Sequence, residues 1–229
     1  MKRYLVVIII ALLATSTGFA QEKEKRDVDG FTAVSFGVAG KLFLKQGSSY
    51  SVELEGDREL LEEIETIVRD GRLVIRKSSW RIMNNSKITA YVTMPEIDGL
   101  SVSGSGTLEA KDPINGSDFD LRVSGSGNIL LNDLQVEDVD CSISGSGNIL
   151  LNGSATDGAE LTISGSGKYD GEEFKVNEMD VRISGSGNCR CWVESDLKVS
   201  VSGSGDIYYK GDPDRIDSRT SGSGKIRKL

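Results

Sequence analysis

Histidine is absent from all 229 residues. Its absence removes Ser-His-Asp triads, histidine general bases and every histidine-ligated zinc or iron site. Aromatic residues make up only 6% of the chain, leaving few platforms on which bases could stack. The formal net charge is −8, so phosphate backbones are repelled rather than attracted, and nucleic acid is not expected as a partner. There are three cysteines, and no pattern of metal-ligand spacing joins them. No metal and no cofactor is expected.

Long apolar runs are confined to the start of the chain. Lys2 and Arg3 precede the apolar stretch Leu5–Leu13, and the small residues Gly18 and Ala20 follow. This order predicts a secretory signal peptide over residues 1–20, cleaved before Gln21. The stretch is short for a bilayer span, and no integral span is expected after cleavage. No cysteine follows the cleavage site, so a lipoprotein anchor is not indicated. Cleavage would leave 209 residues and, with Lys2 and Arg3 gone, a net charge of −10. Residues 21–29 are expected to be a flexible N-terminus, and residues 30–229 a single domain large enough to bury a core.

Glycine and serine are plentiful, and their arrangement is regular. Ser-Gly-Ser-Gly occurs seven times, starting at Ser103, Ser124, Ser144, Ser164, Ser184, Ser202 and Ser221, at intervals of 21, 20, 20, 20, 18 and 19 residues. A period near twenty means one structural unit stacked along an axis. Before each corner the chain alternates apolar and polar residues, as a strand with one buried face does. The predicted inward columns are Phe119/Val139/Ala159/Met179/Leu197, Leu121/Cys141/Leu161/Val181/Val199 and Val123/Ile143/Ile163/Ile183/Val201. After the corner a second strand contributes Leu108, Ile129, Ile149, Tyr169, Cys189, Ile207 and Ile226. A third apolar segment recurs as Leu134/Val136, Phe174/Val176 and Trp192/Val193.

This pattern predicts an all-β, right-handed, single-stranded parallel β-helix with one coil per twenty residues. Seven coils at about 4.8 Å would span roughly 35 Å. Leucine-rich repeats require a Leu-x-x-Leu-x-Leu pattern with helical segments, and propeller blades require forty or more residues; neither fits. Residues 30–98 are read as N-terminal coils and cap, residues 99–229 as the repeats. In the first part, Asp57 is placed to cap a short helix, and Asp70-Gly71 signals a hairpin between Glu65–Arg69 and Arg72–Lys77. Residues 78–87, with Trp80 and Met83, read as a loop. The charged end Lys225–Leu229 suits the opposite edge of the solenoid.

Several chemistries can be set against these residues. A phosphate loop opens a helix, whereas every corner here lies between strands. A calcium β-roll needs an acid at a fixed place in each repeat, yet lysine follows the corner at Lys168 and Lys225. The outward acids Asp120, Asp140, Glu160 and Asp180 form a row, with Arg122 and Arg182 two residues on, which suits a solvated face better than a converging glycosidase pair. Cys141 falls in an apolar column. Cys189 and Cys191 share one face of a strand, as buried thiols or as a strained disulfide. Leu130, Leu150 and Tyr208 point outward by parity and could form a partner strip. The remaining candidate is the ridge of second serines, Ser105, Ser126, Ser146, Ser166, Ser186, Ser204 and Ser223, whose regularly spaced hydroxyls can meet a repetitive polar ligand.

Ser103–Gly106, Ser124–Asn128, Ser144–Asn148, Ser164–Gly167, Ser184–Asn188 and Ser202–Gly205, with the segments Phe31–Gln46 and Tyr91–Pro95, resemble the putative auto-transporter adhesin, head GIN domain family of bacterial envelope proteins. The resemblance covers the chain from about Phe31 onward. It implies a pectate-lyase-like β-helix, no catalytic residues and an adhesive role. On this basis the chain is expected to be an exported, non-enzymatic binding module in the periplasm or on the surface of a Gram-negative bacterium. Its expected partner is a glycan or an envelope or host-surface protein, with self-association possible. The alternatives are a carbohydrate-active lyase or hydrolase on the same scaffold, or a purely structural periplasmic protein.

Overall fold

Alternating apolar residues at a twenty-residue period leave the chain one economical solution: wrap, and stack each turn on the one before. The computed structural model describes residues 22–78 and 87–229. The expected signal peptide and the segment holding Trp80 and Met83 lie outside the described residues. The N-terminal elements are β1 (Glu22–Arg26), β2 (Ala33–Gly37), β3 (Gly40–Gln46), β4 (Ser51–Gly56), α1 (Arg58–Glu62), β5 (Ile64–Arg69), β6 (Arg72–Lys77) and β7 (Ile88–Met94). The repeats follow as β8 (Gly99–Gly104), β9 (Thr107–Ala110), β10 (Ile114–Asn115), β11 (Asp118–Gly125), β12 (Asn128–Gly145), β13 (Asn148–Gly165), β14 (Lys168–Gly185), β15 (Asn188–Gly203), β16 (Ile207–Lys210), β17 (Arg215–Gly222) and β18 (Ile226–Lys228). Together they form a β-solenoid of stacked parallel strands, of about six turns.

The register is the one the repeats predict. Val123 pairs with Ile143, Ile143 with Ile163, Ile163 with Ile183 and Ile183 with Val201. All five are buried. The second column runs in register from Leu108 through Ile129, Ile149, Tyr169 and Cys189 to Ile207 and Ile226. Burying one such aliphatic side chain stabilises by about 1.5–3 kcal/mol, so each added turn brings its own core. The short strands expected within a coil are fused: β12, β13 and β14 each run for 18 residues. Register shifts at Val136/Asp138, Ala155/Gly158 and Val176/Glu178 mark the bends. Large and small residues compensate along the core. Tyr169 fills a column of isoleucines because Gly171 stands two residues on, where a Cβ would come within 2.7 Å of the ring.

The N-terminal third departs from chain order. The coil β2–β3 lies between β6–β7 on one side and β8–β9 on the other. The later coil is therefore the outer one, and antiparallel strands close it: β5 pairs with β6, and β4 with β7. Residues 21–29, expected to be flexible, contain β1, which pairs antiparallel with β4. β1 is Glu-Lys-Glu-Lys-Arg and offers the core no apolar residue. Cross-strand charge holds it instead: Lys23 Nζ lies 2.9 Å from Glu53 and 3.4 Å from Glu55, and Arg26 donates to the Leu61 carbonyl at 2.8 Å. An edge made wholly of charge also discourages further pairing at this end.

At each corner both glycines are enforced. Gly145 has φ 114°, and a Cβ there would lie 2.5 Å from the Gly125 carbonyl oxygen of the preceding coil. At Gly147 a Cβ would lie 2.3 Å from a Val123 methyl. Ser146, between them, is exposed. Gly145→Ala is therefore expected to cost on the order of 1–3 kcal/mol in urea unfolding, and Ser146→Ala to stay within about 0.5 kcal/mol of the parent. Equal losses from the two changes would show that the corner is not limited by backbone geometry.

Candidate functional site

The serine ridge assembles as its spacing requires. The backbone N–H of Ser126 donates to the Gly104 carbonyl at 2.8 Å, and the same bond recurs from Ser146 to Gly125, Ser166 to Gly145, Ser186 to Gly165, Ser204 to Gly185 and Ser223 to Gly203. The backbone is thereby consumed between coils. Ser105, Ser126, Ser146, Ser166, Ser186, Ser204 and Ser223 are all exposed. None of these hydroxyls has a protein partner among the described residues. The first serines of the corners stack alongside as a second register column, from Ser103 and Ser124 through Ser144, Ser164, Ser184 and Ser202 to Ser221. Behind them lies a short amide ladder: Asn148 Nδ2 donates to Asn128 Oδ1 at 2.7 Å, and Asn128 Nδ2 to Thr107 Oγ1 at 3.3 Å. Lys168 interrupts it.

A concavity lies elsewhere. A groove of about 750 Å³ follows the bend that leads into β11 and its equivalents. Two outward columns line it, Asp118/Asp138/Gly158/Glu178/Asp196 and Asp140/Glu160/Asp180/Lys198/Asp217. Gly158, with no side chain, opens the space between Asp138 and Glu178. The row Asp140/Glu160/Asp180 was legible in the sequence, but the column Asp118/Asp138/Gly158/Glu178/Asp196 and the hollow were not. They arise from the register shifts at the bend, which no composition signal marks.

Cations quench much of this charge. Arg182 reaches Asp180 at 2.7 Å and Glu160 at 3.4 Å, Lys198 reaches Asp180 at 3.0 Å, Arg122 reaches Asp120 at 2.5 Å, and Arg215 reaches Asp196 at 2.6 Å. Asp140 stands between Asp120 and Glu160. Partial burial, and then the charges of Glu160, Asp120 and Asp138, hold its carboxyl above the usual aspartate range.

The other candidates resolve more simply. Leu130 and Leu150 stack in register but are only half exposed. Cys141, Cys189 and Cys191 are free and buried, so the Cys189–Cys191 disulfide is not formed. Burial pushes the Cys141 and Cys189 thiols up, away from the nucleophilic form. Among the described residues no cluster of His, Cys, Asp and Glu is arranged to hold a metal ion. No described helix is long and apolar enough to cross a membrane.

The raised carboxyl of Asp140 has a consequence for stability. A carboxyl whose folded pKa exceeds its unfolded value binds more protons when folded, so stability falls as pH rises through that window. Asp140→Asn is expected to raise the thermal midpoint at neutral pH and to have no effect below 3.8, the ordinary aspartate value. A neutral-pH midpoint lower than the parent's would mean that Asp140 is stabilised by its neighbours rather than repelled.

Comparison with known proteins agrees with this architecture. No curated protein matches the chain. Among solved structures, a putative adhesin from Bacteroides fragilis superposes with a TM-score of 0.84 at 22% identity, covering 93% of this chain and 98% of that one. A putative lipid binding protein from Parabacteroides distasonis gives 0.72 at 23% identity, covering 91% and 96%. A putative adhesin from Parabacteroides merdae gives 0.70 at 22% identity, with the same coverage. At such identities the likeness establishes the fold. The family model for "Putative auto-transporter adhesin, head GIN domain" matches residues 30–213, which take in the N-terminal coils and six of the seven corners, and the chain belongs to that family.

Proposed function

We propose that the protein is an exported, non-enzymatic adhesion module of the bacterial envelope that binds a repetitive polar polymer, a glycan foremost, along its serine ridge. The observation that supports this most is the ridge itself. Seven exposed hydroxyls repeat at the coil spacing, and from Ser126 onward the backbone amides of these serines are already committed to the ladder. A hydroxyl both donates and accepts, and the flanking glycines leave no side chain to obstruct approach. The names of the family and of the structural relatives, adhesins for the most part, agree with a binding role. An envelope location, whether periplasmic or on the cell surface, follows from the predicted signal peptide.

Binding on such a ridge is distributed. One neutral hydrogen bond contributes about 1 kcal/mol, so a single Ser→Ala change should scarcely alter affinity. Replacing Ser126, Ser146, Ser166 and Ser186 together is expected to abolish retention of a ligand identified on a glycan array. Far-UV circular dichroism of the variant should match the parent. If the quadruple variant binds normally while Leu130→Asp abolishes binding, the half-exposed leucine strip is the contact surface and the ridge serves only the fold. Depolymerisation of any polysaccharide by the purified chain would replace this reading with the enzymatic one.

A further inference from the structure

The two ends of the solenoid are finished differently. At the N-terminal end the outermost parallel strands are covered by antiparallel ones, with the all-charged β1 beyond them. At the other end β17 pairs with β15 along one side only, and all eight of its residues are exposed. β18 likewise pairs only with β16. Among the described residues, neither strand has a second pairing partner. Ile216, 42% exposed, ends a column that holds Leu197 at 1% one coil below. A strand in this position keeps alternate N–H and C=O groups pointing outward, ready for a further strand.

The residues of β17 identify the strand that fits. Arg215 is engaged by Asp196 at 2.6 Å, which leaves Asp217 and Arg219 as the available charges. These two lie 3.9 Å apart in a loose contact, with side chains 54% and 83% exposed. In the segment Arg215-Ile-Asp-Ser-Arg-Thr-Ser221, antiparallel pairing about Ser218 sets Asp217 of one strand opposite Arg219 of the other, twice. The same pairing puts Ile216 opposite Thr220. Centring on Asp217 or Arg219 instead places like charges face to face, which is unfavourable for directly opposed residues. The edge is complementary to itself in one register.

We infer that β17 is the docking edge for a second copy of this chain, the two β17 strands pairing antiparallel about a twofold axis at Ser218. Because the N-terminal end is closed, this contact yields a closed dimer rather than a filament. The serine corners follow the C-terminal end of β17, so antiparallel pairing places the two ridges at opposite ends of the shared strand pair. Two ridges facing away from each other suit a protein that links separate surfaces.

Sedimentation equilibrium of the full chain, purified from an exporting host, tests this assignment. The parent is expected to be a dimer. Arg219→Asp makes the facing positions both acidic, and Asp217→Arg makes them both basic. Each change should weaken dimerisation by roughly tenfold or more, since opposed like charges cost several kcal/mol. An equimolar mixture of the two variants should recover dimers, because every facing pair is then opposite in sign. The double variant, which exchanges the charges in place, should also dimerise. A parent that stays monomeric at its highest soluble concentration would overturn the proposal. So would single variants that remain dimeric, or a mixture that remains monomeric although both variants keep the parent's far-UV spectrum.

Discussion

The bond from the N–H of the second serine of each corner, from Ser126 onward, to the glycine carbonyl one coil below sets the geometry from which the rest follows. For that bond to form at 2.8 Å the backbones must approach with no Cβ between them, and glycine with positive φ is what permits it. Once the corner is fixed, the flanking residues have no freedom of register. A slip by one residue would turn every buried column to solvent and every charged one inward. Corner and core therefore reinforce each other: the glycines set the register that stacks the β-branched residues, and the stacked residues hold the coils at the distance the corner bond requires.

Strict register also stacks like upon like, which is favourable for isoleucine and unfavourable for aspartate. The acid columns of the groove are the electrostatic cost of repetition, and the chain offsets it unevenly. Arg182 bridges Glu160 and Asp180, and Lys198 takes the next place in the same column. Asp140 has no such neighbour on its own level and is held toward its protonated form. On the serine side the stacked groups are neutral and can act as donor or acceptor, so repetition carries no comparable cost. The face that tolerates unlimited stacking is also the face that could meet a polymer of matching regularity.

Relatives of low identity share the fold because very few positions are constrained by shape alone. The corner glycines and inward columns are constrained. The outward residues are not fixed by the packing of the core. A fold of this kind presents ladder-like surfaces on which side chains are arranged in columns.

Whatever depended on a local, repeated pattern was legible in the sequence: the corners, the inward columns of both strands, the hairpin at Asp70-Gly71, and the free thiol of Cys141 within an aliphatic column. These follow from alternation and from the backbone needs of glycine, which act within a few residues. Tertiary structure alone decided the rest. It placed the coil β6–β7 outside β2–β3, recruited the charged strand β1 through Glu53 and Glu55, hollowed the groove at the bends and left β17 uncovered. Each of these depends on which distant strand supplies the pairing partner. In a ladder every strand offers the same hydrogen-bonding groups, so the choice is made by packing and charge across the whole stack, which no local stretch of sequence contains.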